Sequence, residues 1–398
     1  MILARSPFFV NCPATDVTAG TPAYVTLGIA VYEGDKIVFI SNQYNLRKNL
    51  TGSPASADFE ISELVRDFLE NTYSGDSTLA TRWVRLEKRY YNSSDNILLL
   101  INGLSVITEY QVALNGYSYF PEGASYQSDS DRIIALSNSC VYTLKNQLPY
   151  IPIFAYNVDV DYTFLKDGDV VLSGTLVEEK DTVEGEGYVA KYISQNGQAT
   201  YDNFLERVEE DGGGGGVVES SFCLIQFFDS INTFDADKLI VTLSDGSLSD
   251  EVELRYFEDC GIYNKYKIAF VNRFGAIQDL YVTKKSIERL EVQDEVFKFN
   301  TTTTGGTYSI YTPQYTRYSV NARESITLNT PFLPEDYNSV IKELMLTENA
   351  WLVDVTTNEV TPIIPKTKSL TYKTSVNDRL TQYTIDFDYA YDTINSVR

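Results

Sequence analysis

The run Tyr383-Thr384-Ile385-Asp386-Phe387-Asp388-Tyr389 alternates without a break, apolar or aromatic at 383, 385, 387 and 389 and polar at 384, 386 and 388. Alternation with period two belongs to a β-strand, whose side chains point to opposite faces in turn. The segment therefore predicts one aromatic row on a core and one hydroxyl and carboxylate row in water. A strand with that contrast cannot stand alone, because its apolar face needs covering and its edges need partners. The rest of the chain must supply further half-buried strands.

The aromatic balance agrees. Among 398 residues there are 30 Tyr and 20 Phe but only 2 Met and 2 Trp, which favours pleated sheets over helical bundles. Two stretches carry helical spacing instead. Ile61, Leu64, Val65, Phe68 and Leu69 fall on one stripe with Asp58 as a candidate N-cap. Tyr337, Val340, Ile341, Leu344 and Met345 repeat that stripe, with Pro334 suited to a first helical position and Glu335 and Asp336 to the positive end of the helix dipole. The fold class read from these patterns is mainly β: several antiparallel, β-sandwich-like modules with two short amphipathic helices.

At about 150 residues per domain the length predicts two or three domains. The reading is an N-terminal β-rich domain with one helix at 1–126, a central β domain with a glycine-rich loop at 127–300, and a C-terminal α+β assembly domain at 301–398. In the first, strands at 23–31 and 36–40 flank a turn at 32–35, and 83–91 and 97–101 are further strands. In the second, 157–164 and 170–177 flank the turn Lys166-Asp167-Gly168-Asp169, the acidic stretch 178–187 reads as a solvated loop, and the five glycines at 212–216 read as a loop tip. Strands follow at 222–228 and 239–243, and the span 256–282 holds two strongly apolar strands joined through Asn272-Arg273-Phe274-Gly275. The polar run TTTTGG at 301–306 reads as the last domain boundary.

Chemistry is narrowed by what is missing. The chain has no histidine, which removes the commonest general base and metal ligand, excludes a catalytic triad with histidine and argues against a zinc enzyme. Carboxylate pairs remain: Asp159 with Asp161 and Asp386 with Asp388, each two apart on a strand and so about 6–7 Å apart on one face. That spacing suits a glycosidase pair or a calcium site, but it is also the ordinary pattern of solvated strand positions. No glycine motif for phosphate is present, and no catalytic, cofactor or metal site is assigned; the chain reads as a non-enzyme.

A net charge of −23 makes nucleic acid a poor ligand for the surface as a whole. The four cysteines, at 12, 140, 223 and 260, form no CxxC pair and read as reduced. Residues 1–16 lack the pattern of a secretory leader, and no apolar run approaches the roughly 18 residues of a membrane span. The expectation is a protein folded in a cytoplasm, without membrane insertion or specific nucleic-acid binding.

Two candidate interface elements follow. One is the aromatic row Tyr383, Ile385, Phe387 and Tyr389. The other is the basic set Lys265, Lys267, Arg273, Lys284 and Lys285 in the least acidic part of the chain, read either as edge lysines or as a patch for an acidic face of a neighbouring copy.

The block that begins SITLNTPFLPEDYNSVIKELMLTENAWL and ends SLTYKTSVNDRLTQYTIDFDYAYDTINSVR resembles the ends of tail or baseplate-type structural proteins of tailed bacteriophages. The segment CGIYNKYKIAFVNRFGAIQDLYVTKK is similar to a stretch that precedes that block in such chains, so the resemblance covers about the last 140 residues. It implies a virion component, assembled in the host cytoplasm into a ring or tube. Its partners would be copies of itself and other tail proteins, with a host surface receptor as a further candidate. No catalytic residue is carried over. In a tube, acidic residues would line the lumen. A second reading is a glycan- or receptor-binding adhesion module in which Trp83 and Trp351 stack on sugars. A third is a glycan hydrolase working through Asp159 or Asp386.

Overall fold

The computed structural model describes residues 2–31, 43–69, 73, 81–101, 103–123, 133–144, 151–155, 160–183, 187–194, 199–202, 221–227, 236–257, 262–301, 305–369 and 380–394. The fold is mainly β, built chiefly of antiparallel, sandwich-like sheets, with two short α-helices among the described residues. The turn at 32–35, the strand at 36–40, the glycines at 212–216 and Asp159 lie outside the described residues.

The chain divides into two compact units, Met1–Asp259 with Ala269–Leu280, and Cys260–Ile268 with Tyr281–Arg398. The boundaries read from the sequence do not coincide with this division. In particular, strands Ile287–Lys298 and Tyr315–Asn329 pair antiparallel across the 301–306 segment, from Ile287 opposite Thr327 to Lys298 opposite Tyr315. The boundary read at 301–306 therefore falls between two paired strands of one unit.

The first unit begins with a five-stranded sheet in the order Ile2–Leu3, Ile107–Leu114, Thr81–Tyr91, Tyr24–Val31, Tyr44–Asn49. A two-stranded sheet, Phe9–Pro13 with Ser56–Glu60, and the helix α1, Ser62–Arg66, share its core. Val10, Cys12, Phe59, Ile61 and Val65 pack with Val25, Leu27, Ile29, Val84 and Leu86. Helix α1 is shorter than its stripe, and Asp58 is not its N-cap but a member of the preceding strand; the cap position is Ile61. Residues 97–101, read as a strand, form only isolated bridges, Tyr91 with Ile97 and Val17 with Leu100.

A six-stranded sheet follows, ordered Gly187–Ser194, Asp169–Val183, Val160–Lys166, Lys238–Leu243, Ser249–Phe257, Cys140–Leu144. Alternation works as expected: Val160, Tyr162 and Phe164 meet Leu239, Val241 and Leu243 in one core. The turn after 166 has positive φ at Asp167 (51°) and Gly168 (90°) with Lys166 opposite Asp169, the backbone of a type I′ hairpin. The acidic stretch from 178 is strand and not loop as far as Val183, paired with 187–194, since an in-register partner outweighs charge composition.

The hairpin Tyr266–Val271 and Ile277–Val282 has a buried tip. Its residues 269–280 belong to the first unit. The Asn272 carboxamide donates to the Ala135 carbonyl at 2.9 Å and accepts from the backbone N–H groups of Phe274 and Ala276. The Tyr117 N–H donates to the Arg273 carbonyl at 2.7 Å. A Cβ on Gly116 would stand 2.6 Å from that same carbonyl oxygen, so only glycine lets the tip seat this close.

The second unit is organised on five strands of one sheet, in the order Ala350–Asp354, Val360–Pro365, Thr384–Tyr389, Tyr315–Asn329, Ile287–Lys298. The strand with the strongest alternation is interior, paired with 363–365 on one side and 325–329 on the other. Its odd row is inward, with Tyr383, Ile385 and Phe387 buried, while Thr384 is exposed and Asp386 and Asp388 half-buried. A 3-10 turn, Glu335–Tyr337, leads from Pro334 into α2, Asn338–Leu346; Tyr337 at the end of the turn and Val340, Ile341 and Leu344 on the helix are buried as the stripe predicts, while Met345 is half-buried.

Candidate assembly surface

Beyond its pairing with the closing strand, the hairpin 287–329 continues as a ribbon of two strands. The pairing of Tyr315–Asn329 with Thr384–Tyr389 stops at Ser325, whereas its pairing with Ile287–Lys298 runs on to Tyr315. At about 3.3 Å per residue the free part is about 30 Å long. Every described residue of 287–300 and 305–320 is exposed, so both faces of this arm are wet.

The side chains on it are not those of a wet ribbon. Leu290, Val292, Val296, Phe297, Phe299, Tyr308, Ile310, Tyr311, Tyr315, Tyr318 and Val320 are exposed between 38% and 90%. With roughly 150–250 Å² on a full aromatic side chain, that is on the order of 1,000 Å² of apolar surface. This area is spread over the two faces and the tip of the ribbon. From Phe299 to Thr316 the sequence carries no charge, on a chain of net −23.

The arm is pre-formed. Phe297 meets Tyr318 edge-on at 5.6 Å between centroids and Phe299 at 6.3 Å, and Arg317 Nε donates to Asp294 Oδ2 at 2.5 Å. A bulge between Gln293 and Glu295, with Ser319 at φ 53°, breaks the register and adds twist. This bulge hides the arm from pattern reading, since alternation does not run through it. The uncharged window with Tyr308, Ile310, Tyr311 and Tyr315 was the available signal.

The residues singled out from sequence lie elsewhere. Tyr383, Ile385 and Phe387 are in the core of their own unit, and the Tyr383 hydroxyl donates to Asn338 Oδ1 at the start of α2. Their apolar area is covered by this chain, not held out to a neighbour; the alternation marked a buried face without saying what buries it. Tyr389 is half-buried, beside Tyr391 at 5.7 Å, and burial with Glu288 nearby pushes its hydroxyl up to about 12.

The basic set is divided between the two units. Arg273 belongs to the first unit; its side chain, 12% exposed, pairs with Glu122 at 2.8 Å and lies over the Tyr119 ring. Lys265, Lys267 and Lys284 are half-buried, the last 5.7 Å from the centre of the Phe332 ring, and Lys285 is exposed. Trp351 is buried and cannot stack on a sugar. The carboxylates are occupied: Asp386 accepts from Thr327 Oγ1, Asp388 pairs with Lys366 at 3.1 Å, and Asp161 accepts from Thr175 Oγ1 at 2.6 Å.

Among the described residues no cluster of three Cys, Asp or Glu is placed to hold a metal ion, and no helix is long and apolar enough to cross a membrane. No family model matches the chain, and neither a curated protein nor a solved structure does.

Proposed function

We propose that this chain is a structural subunit that assembles through its 287–329 arm, and that it serves as a tail or baseplate component of a tailed-phage virion. The observation that carries the reading is the arm: a pre-formed ribbon with both faces in water, bearing on the order of 1,000 Å² of apolar surface spread over its two faces and tip. The virion assignment adds the resemblance of the C-terminal block. In this reading the partners are further copies and neighbouring tail proteins, and the protein works by position.

The test is molar mass by light scattering at two concentrations, with negative-stain imaging of the same sample. Closed rings or stacked tubes support the reading. A variant with residues 299–314 replaced by Asn-Gly, which closes the ribbon at the Lys298–Tyr315 pair, should lose them. Assemblies unchanged by that replacement would refute the role of the arm.

A second reading has one observation in its favour. Tyr308 and Tyr311, 70% and 90% exposed at the uncharged tip, present flat faces that can stack on a sugar ring. A glycan- or receptor-binding role of the tip predicts hits on a glycan array that disappear in Tyr311→Ser.

A further inference from the structure

The arm needs a receiving surface, and a second one on this chain matches it; the argument rests on the assembly reading above. We propose that the arm tip of one copy docks on the 97–104 segment of a second copy, joining copies head to tail.

Ile97, Leu99, Ile101 and Leu104 are exposed by 51% to 70%, about 400 Å² of apolar surface in one short stretch. The tip side chains Tyr308, Ile310 and Tyr311 expose a similar area, about 450 Å². The backbone at 98–101 is held firmly. The Leu98 N–H donates to the Tyr90 carbonyl at 2.9 Å, Thr18 N–H to the Leu99 carbonyl at 3.0 Å, and Ile101 N–H to the Asp16 carbonyl at 2.9 Å. Side chains presented from so well bonded a segment form a fixed surface, which lowers the ordering cost of docking.

Charge selects the pairing. Two copies of a −23 chain repel wherever their acidic faces meet. No charge occurs from Asn96 to Thr108, and none from Val17 to Ala23, which lies beside it through the Val17–Leu100 bridge. The tip, uncharged from Phe299 to Thr316, can meet this window without repulsion. Edge-to-edge pairing of two arms would be unfavourable, since Ile287–Lys298 carries Glu288, Glu291, Asp294 and Glu295 against Arg289 and Lys298, and like charges opposite each other destabilise a ladder. Tip and patch are different surfaces, so the contact is heterologous, the kind that builds rings or filaments.

Two double variants test this, Tyr308→Ser with Tyr311→Ser, and Leu99→Ser with Ile101→Ser. All four side chains are exposed, and unchanged thermal unfolding verifies the fold. Sedimentation velocity is run on each alone and on a 1:1 mixture. Each alone should lose self-association by tenfold or more. The mixture should form pairs, because the intact tip of the patch variant fits the intact patch of the tip variant. A mixture that stays dissociated would overturn head-to-tail docking. A patch variant that assembles like wild type overturns the patch and leaves the arm reading standing. If both variants assemble like wild type, both readings fall, and a wild-type chain that stays monomeric at every concentration overturns the second copy as the occupant.

Discussion

Gly116→Ala is a one-carbon change with a large consequence. The new Cβ would lie 2.6 Å from the Arg273 carbonyl oxygen, 2.8 Å from Leu3 Cδ2 and 2.9 Å from the Phe274 carbonyl carbon. Two of the three obstacles are backbone atoms of the hairpin tip, so no rotamer change relieves the contact. The φ of Gly116 does not lie in the left-handed region, so the cost comes from contact alone. Overpacking of this kind costs about 1–3 kcal/mol. The tip must also retreat from the Tyr117 N–H that it accepts at 2.7 Å, a further ~1 kcal/mol. A loss of about 2–4 kcal/mol corresponds to a fall of roughly 4–16 °C in Tm for a unit of this size. Differential scanning calorimetry measures the shift, and hydrogen exchange of peptides covering 266–283 locates it. Gly305→Ala is the control, since nothing lies within 4 Å of its Cβ. A Gly116→Ala protein that unfolds within a degree of wild type, with unchanged exchange at 266–283, would refute the seating of the tip.

Phe387→Ala removes a ring with no exposure from an interior strand and should cost about 3–5 kcal/mol in urea unfolding, whereas Tyr391→Ala, at 48% exposure, should cost little. Glu122→Ala strips Arg273 of its carboxylate partner and should lower Tm by a few degrees, equivalent to about 1–2 kcal/mol, checked in the same calorimeter. Burial pushes the Cys12 thiol up from 9.0 to about 11, with Lys88 pulling the other way. The folded state thus holds the proton more tightly than the unfolded chain. Its contribution is complete below pH 9 and is lost as pH rises to 11, up to about 2–3 kcal/mol. Denaturation curves at pH 8, 9.5 and 11 should show the fall in wild type and a shallower one in Cys12→Ala.

The closing strand was legible because its alternation is unbroken, and the 266–282 hairpin because two apolar runs meet at a glycine, Gly275, that takes φ of 81°. Periodicity tells which face of a strand is buried, but not whether the chain or a partner buries it. The row at 383, 385 and 387 therefore predicted the core correctly while its assignment to an interface rested on nothing local. The run ILLLI at 97–101 shows the converse: five apolar residues read as a strand form only isolated bridges, only Leu100 is buried outright and three of the others stand in solvent. The arm was hidden by its bulge and by the run TTTTGG at 301–306, which has the composition of a linker. Arg273 looked like a docking charge because its partner, Glu122, is 151 residues away in sequence.

Salt separates an apolar, charge-avoiding contact from the charge-driven docking first read from the lysines. A basic patch on an acidic face is strongest at low ionic strength and weakens as salt screens it, with the Debye length falling from about 30 Å at 0.01 M to about 8 Å at 0.15 M. An uncharged tip on an uncharged patch behaves in the opposite sense. The attraction is burial, which modest salt does not weaken, and the opposing force is repulsion between two chains of net −23, which salt removes. Association measured by sedimentation should therefore strengthen between 0.02 M and 0.5 M NaCl. Dissociation over that range would mean that ion pairs hold the copies together and that the arm's apolar surface is not the source of affinity.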